Sequence, residues 1–199
     1  MKKILFLHGW TNRRPEGHWL RLSASELRHQ GHQVWYPQFP NPDEPDQFEW
    51  QDLLRQEAAM MDEAPEGPKI VVAHSLGTTN WLFGALNDLY QKPFDRVLLV
   101  APPDPDAVKQ INGITTKPLE LDTPNLESQA KKWARELTVI AGDNDHWLPR
   151  GVGIYAEPLG VEPVVFPDAG HFSLDQGWGP WPGLIKWIES GNKNDLLLR

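Results

Sequence analysis

The sequence predicts an α/β fold, a three-layer αβα sandwich around a mostly parallel six-stranded sheet. Two observations carry that reading. Short apolar runs alternate with helical patterns along the whole chain, which is the signature of strand–helix–strand units. The runs are apolar on both faces, as strands are when helices cover a parallel sheet from either side. At 199 residues the chain is long enough for one well-filled core and short for two. The expected division is one domain over 1–191 with a C-terminal tail over 192–199.

Each element has a local cause. Residues 2–8 are an apolar strand ending in His8-Gly9-Trp10, and Pro15 and Gly17 make the next stretch a loop. Residues 18–30 carry Trp19, Leu20, Leu22 and Leu27 partly on one helical face, and Gly31 stops the helix. Gln33 to Tyr36 is a short strand. Pro40, Pro42 and Pro45 force a loop, since proline suits neither a helix interior nor a central strand. Residues 47–62 are amphipathic through Trp50, Leu53, Leu54, Ala58 and Met61. Ile70-Val71-Val72 is a strand, and Trp81, Leu82, Ala85, Leu86 and Leu89 form the stripe of the helix after it. Asp95 to Ala101 is the fourth strand. The proline-rich segment 102–124 is irregular and is expected to form a short flap over a shallow, open pocket. Leu126, Ala130, Trp133 and Ala134 space as a short helix, Leu137 to Ala141 as a strand, 152–159 as a weak helix and Pro163 to Phe166 as the last strand. Trp181, Leu184, Ile185 and Ile188 mark a helix over 180–190 at i, i+3, i+4, i+7. The tail from Asn192 is expected to be loose.

Composition removes several function classes. A formal net charge of −8 with no basic run argues against nucleic-acid and anionic-membrane partners. The absence of cysteine excludes disulfides, thiolate chemistry and cysteine zinc sites. The apolar start is too short for a signal peptide and no stretch could span a bilayer, so a cytoplasmic enzyme is expected. No glycine-rich phosphate loop is present, and no cofactor is called for.

The chemistry centres on Ala73-His74-Ser75-Leu76-Gly77, set between an apolar strand and a helix. This is a small-x-Ser-x-Gly elbow, in which a sharp turn lifts one hydroxyl clear of the sheet and starts a helix directly behind it. The bland alternative is a capping serine in an ordinary turn. In a parallel sheet the loops leaving the C-terminal strand ends share one rim. His171, in Gly-His-Phe after the last strand, is the histidine on that rim that follows the elbow and suits the base. Asp145 suits the acid that orients it, ahead of Asp143, which is better placed to cap its turn, and of Asp168. The order Ser75, Asp145, His171 is the one expected of a triad on such a sheet. Backbone N–H groups of Leu76 and Trp10 are the candidate oxyanion donors, with Gly9 allowing close approach. His8 and His74 read as structural, His8 bonding backbone beneath the oxyanion loop. Trp147 and Trp178, with Trp10, read equally as candidate pocket walls or as anchors for their loops, and Gly9, His18 and Trp19 are candidate substrate contacts. A metal site from Asp143, Asp145, His146 and His171 is a minor alternative without a typical ligand spacing.

The chain resembles the α/β-hydrolase superfamily and, more narrowly, the small cap-less serine hydrolases of the YdeN type, relatives of a vertebrate retinoblastoma-binding hydrolase. The resemblance rests on His8-Gly9-Trp10, His18-Trp19, Pro40-Asn41-Pro42, the Ala73–Gly77 elbow, Gly170-His171-Phe172 and Gly177-Trp178. It implies a sheet lacking the first two strands of larger hydrolases, the triad Ser75, Asp145, His171, and hydrolysis of small-molecule esters. The alternatives are thioesterase or aminopeptidase-like activity on the same residues, and a non-catalytic binding module on a hydrolase scaffold. The vertebrate partner motif needs a cysteine and is not carried over.

Overall fold

A computed structural model describes residues 1–112, 114 and 117–199. The strands are β1 (Lys3–Leu7), β2 (Gln33–Trp35), β3 (Lys69–His74), β4 (Phe94–Val100), β5 (Ala134–Gly142) and β6 (Val164–Phe166). The helices are α1 (Trp19–His29), α2 (Gln47–Glu63), α3 (Leu76–Leu86), α4 (Pro105–Val108), α5 (Leu126–Trp133), α6 (Gly153–Leu159) and α7 (Pro182–Ser190). The sheet is six-stranded in the order β2-β1-β3-β4-β5-β6, and every pairing is parallel.

Alternation along the strands builds two cores. Leu5, Leu7, Val71, Ala73, Val97 and Leu99 point to one face, where residues of α2, α3, α5 and α6 pack. Ile4, Phe6, Ile70, Val72, Leu98 and Val100 point to the other, against α1 and α7. This is the three-layer sandwich that the doubly apolar strands require. The chain leaves β1 toward β2 on one side and returns to β3 on the other, so the topological switch lies between the C-terminal ends of β1 and β3. That crevice is where an open α/β sheet binds its ligand.

Three details depart from expectation. A four-residue helix, Pro105–Val108, interrupts the segment 102–124; Asp104 caps it by accepting from the Asp106 N–H, and Pro105 supplies a preset φ at its first position. Within that segment, residues 113, 115 and 116 lie outside the described residues. The helix after the elbow stops at Leu86, because Asp88 takes φ 51° and the Leu89 N–H turns back to the Gly84 carbonyl. The tail from Asn192 is packed, not loose. Residues 193–197 form a 3-10 turn, Leu196 is fully buried, and its carbonyl accepts the Trp181 indole N–H. Gly183 lets the tail lie against α7, since a Cβ there would stand 2.4 Å from the Asp195 carbonyl oxygen. No described helix is long and apolar enough to cross a membrane.

Candidate active site

Ser75 sits between β3 and α3 at φ 54°, ψ −128°, a conformation that a side-chain-bearing residue adopts only under constraint. The constraint is visible on both sides. Gly77 packs so closely under β1 that a Cβ would lie 2.5 Å from the Leu7 carbonyl oxygen. Gly9 packs so closely on the serine that a Cβ would lie 2.5 Å from Ser75 Cβ. The Ser75 N–H is held by the Val100 carbonyl at 3.0 Å.

Three side chains meet at this turn. His171 Nε2 is 2.9 Å from Ser75 Oγ, and His171 Nδ1 is 2.8 Å from Asp145 Oδ2. The carboxylate can only accept, so Nδ1 carries the proton and Nε2 is left to accept the serine hydroxyl. All three are nearly enclosed, at 8% exposure for Ser75, 7% for His171 and 5% for Asp145. Asp145 is fixed in turn by the Trp147 N–H, which donates to its other oxygen at 2.9 Å. Asp143 and Asp168 are exposed and bond to each other, the Asp168 N–H donating to Asp143 Oδ1 at 2.8 Å. Asp143 therefore ties the β5 and β6 loops together. Among the described residues no group of three or more such side chains is placed to hold a metal ion.

The backbone that carries His171 is gripped from several directions. The His171 N–H donates to Gln176 Oε1 at 2.6 Å, and the Gly170 N–H donates to Asn144 Oδ1 at 2.6 Å. On the other side, the His171 carbonyl is 2.8 Å from His74 Nε2 and the Phe172 carbonyl is 2.8 Å from Trp19 Nε1. Because a carbonyl accepts, His74 Nε2 must carry the proton. His74 thus faces the back of the histidine loop rather than the serine. Burial and the nearby imidazoles push its pKa well below the ordinary histidine value.

His8 and His18 are also buried and neutral. His8 lies beneath the β1 loop, with Nδ1 bonded to the Gly9 carbonyl at 2.8 Å and Nε2 accepting the Phe39 N–H at 2.8 Å. His18 caps α1 by accepting the Leu20 N–H at Nδ1 and stacks on Trp19. Burial lowers the pKa of each to about 4.

A cavity of about 370 Å³ lies over Ser75. Gly9, Trp10, His18, Leu76 and Trp147 all line it, and Trp10 and Trp147 meet edge to face at 5.9 Å. Trp178 does not. It is 2% exposed, stacks on Phe172 at 4.2 Å and donates its indole N–H to the Ala169 carbonyl. The Gly177 turn, at φ 85°, directs it into the α1/α7 core instead of onto the rim. Trp19 is likewise in the core, fully buried. Asn12, His146, Ser173 and Asp175 line the cavity without having been singled out as substrate contacts from the sequence. Their only signal was position, on the rim loops after β1, β5 and β6.

Leu76 is the first residue of α3, so its N–H has no acceptor within the helix. Trp10 follows Gly9 on the neighbouring strand end, and among the described residues its backbone N–H has no bonding partner. Both flank the switch crevice where Ser75 stands.

An αβα sheet of this order with a strained serine elbow on its C-terminal rim is an α/β-hydrolase fold. The chain belongs to the serine hydrolase family, whose model matches residues 4–190. It is similar to the ydeN gene product of B. subtilis, with 21% identity, TM-score 0.77, and coverage of 96% of this chain and 98% of that one. A YdeN-like protein of Pectobacterium atrosepticum gives 18% identity and TM-score 0.66 over 100% of this chain and 94% of that one. An esterase domain from Rhodothermus marinus gives 18% identity and TM-score 0.59 over 89% and 82%. No curated protein matches the sequence.

Proposed function

We propose that the protein hydrolyses small acyl esters through an acyl-enzyme formed on Ser75. The observation that carries this reading is the unbroken hydrogen-bonded line from Asp145 through His171 to Ser75 Oγ, ending under an accessible cavity. Ser75 Oγ attacks the ester carbonyl carbon while its proton passes to His171 Nε2. Asp145 stabilises the imidazolium that forms. The N–H groups of Leu76 and Trp10 receive the carbonyl oxygen as it becomes an anion, the first helped by the N-terminal end of α3. His171 then gives the proton to the leaving alcohol. Water, deprotonated by the same imidazole, attacks the acyl carbon and releases the acid and free Ser75.

The substrate on this reading is a small molecule, in keeping with the cavity volume and with a net charge of −8 that disfavours nucleic acid. The esterase domain among the structural neighbours supports ester chemistry by likeness of fold. The test is a fluorophosphonate probe with p-nitrophenyl acetate turnover. The wild type should label and turn over. Ser75→Ala should not label and should lose about a millionfold in kcat if the three groups act as a unit. Full turnover in Ser75→Ala, or no labelling of the wild type, refutes the assignment.

A further inference from the structure

The loops after β4 and β5 meet at Asp104, whose side chain is 2% exposed. Arg150 grips its carboxylate with two nitrogens, Nε donating to Oδ2 at 2.7 Å and Nη2 donating to Oδ1. The Asp106 N–H donates to Oδ1 at 2.9 Å, and the Asp106 carboxylate reaches Arg150 Nη2 at 3.1 Å from the exposed side. The Asp104 backbone N–H donates to the Trp147 carbonyl at 2.7 Å. Trp147 passes the constraint on. Its own N–H donates to Asp145 Oδ1 at 2.9 Å, and Asp145 Oδ2 faces His171 Nδ1 at 2.8 Å. One residue thus holds the acid loop at two points, Trp147 and Arg150. The two Trp147 bonds lie on the two planar peptides that flank its Cα, so together they fix where its N–H points.

Neither a cap nor a loop contact needs a buried carboxylate here. Serine or asparagine caps a helix as well as aspartate does. Apolar groups in place of a buried ion pair are often neutral or stabilising. What the pair adds is direction, because a planar guanidinium on both carboxylate oxygens allows one geometry. The carboxylate of Asp145 needs such direction. The last torsion of an aspartate side chain is broad, so its carboxylate turns easily unless both oxygens are held. We propose that Asp104 is a positioning residue for catalysis: with Arg150, it fixes the Trp147 peptides so that the Asp145 carboxylate stays aimed at His171. The inference rests on the esterase reading, in which Asp145 orients the imidazole while Ser75 attacks. Asp104 itself acts through Trp147 and Asp145, not on the substrate.

The experiment measures kcat and KM for p-nitrophenyl acetate in Asp104→Asn, Arg150→Met and Arg150→Lys, with Ser75→Ala as the blank. Each is made in the wild type and in an Asp145→Asn background. Asp104→Asn keeps the backbone donor but turns an amide nitrogen toward the guanidinium. It should lower kcat about 10²-fold, the loss that a shift near 1 Å brings, with KM little changed. Arg150→Met should act in the same direction, and Arg150→Lys should recover part of the rate. In the Asp145→Asn background none of the three should lower kcat further, since the group being positioned is already lost. Thermal unfolding is read alongside. If Asp104→Asn does not fold, the Arg150 pair carries the test, because that side chain is half exposed. Wild-type kcat in both Asp104→Asn and Arg150→Met overturns the proposal, as does a change confined to melting temperature. Equal losses in the two backgrounds also overturn it, because the effect would then not pass through Asp145. If the wild type neither turns over ester nor labels with the fluorophosphonate, the esterase reading fails and the positioning role with it. If Asp145→Asn is slow while the Asp104 and Arg150 variants are not, the positioning role alone fails.

Discussion

Asp145 and Asp143 are two residues apart on one loop and do different work. Asp145 is nearly enclosed and faces His171, whereas Asp143 is exposed and holds the Asp168 N–H. Asp145→Asn should therefore reduce kcat by about 10⁴, because the amide no longer fixes the Nδ1–H tautomer. Asp143→Asn should stay near wild type, since an amide oxygen still accepts the Asp168 N–H. Comparable losses in the two variants, read in the same ester assay, would refute the division. Gly77 is a test of a different kind. An added Cβ there would meet the backbone oxygens of Leu7 and His8 at 2.5 and 2.8 Å. Gly77→Ala should cost about 1–3 kcal/mol of stability, measured by thermal or denaturant unfolding.

At the scale of elements, the loop between β6 and α7 is the one that holds His171, the proposed base, in place. Gly170 and Phe172 flank His171 with φ of 57° and 56°, so the loop is shaped by its anchors as much as by local preference. One anchor, His74, is donated by the strand that carries the serine, so the elbow and the base loop are locked to each other. His74→Phe keeps an aromatic ring and removes the donor. It should lower kcat about 10²-fold with little change in KM, since a shift near 1 Å in a reacting group is enough for that loss. His74→Gln, which restores an N–H, should recover part of the rate. A change confined to thermal stability would mean that the bond is structural only. A second lock joins the loops after β4 and β5. Arg150 Nε donates to Asp104 Oδ2 at 2.7 Å, and the Asp104 N–H donates to the Trp147 carbonyl at 2.7 Å. The guanidinium holds the Asp104 carboxyl below the usual carboxylate range.

For the whole molecule, three buried histidines, His8, His18 and His74, contribute to how stability depends on pH. His8 and His18 have folded pKa values of about 4 against an ordinary 6.5. Between those values the unfolded chain binds more protons than the folded one. The stabilisation is therefore full above about pH 6.5 and is lost as pH falls toward about 4. A shift of that size corresponds to about 3 kcal/mol at one site. The denaturant midpoint should fall steadily from pH 6.5 to 4, and replacing His8 with Gln should flatten the slope. The docked tail is the second global contribution. Deleting residues 192–199 uncovers Leu196's site and leaves the Trp181 indole and Gly183 N–H without acceptors. It should cost about 2–4 kcal/mol by lost burial and lost hydrogen bonds, seen as a lower melting temperature with the ester rate at 25 °C largely retained.

The order of strands and helices was readable because apolar periodicity is local: Ile70 to Val72, the stripe from Trp81 to Ala85 and the spacing Trp181-Leu184-Ile185-Ile188 each report their own backbone. The approach of Ser75, Asp145 and His171 was readable for a related reason, since all three follow strand ends and parallel strands deliver those ends to one rim. Contacts between distant segments were not readable. Nothing near Trp178 in sequence says that it stacks on Phe172 rather than facing the cavity, and nothing near Leu196 says that a polar tail is anchored. The sequence alone determined which elements form and which loops share an edge, because those follow from short-range sterics and burial. Only the tertiary structure decided which side chains fill the core, which grip the loops and which are left open to a ligand, because packing depends on partners brought together from far along the chain.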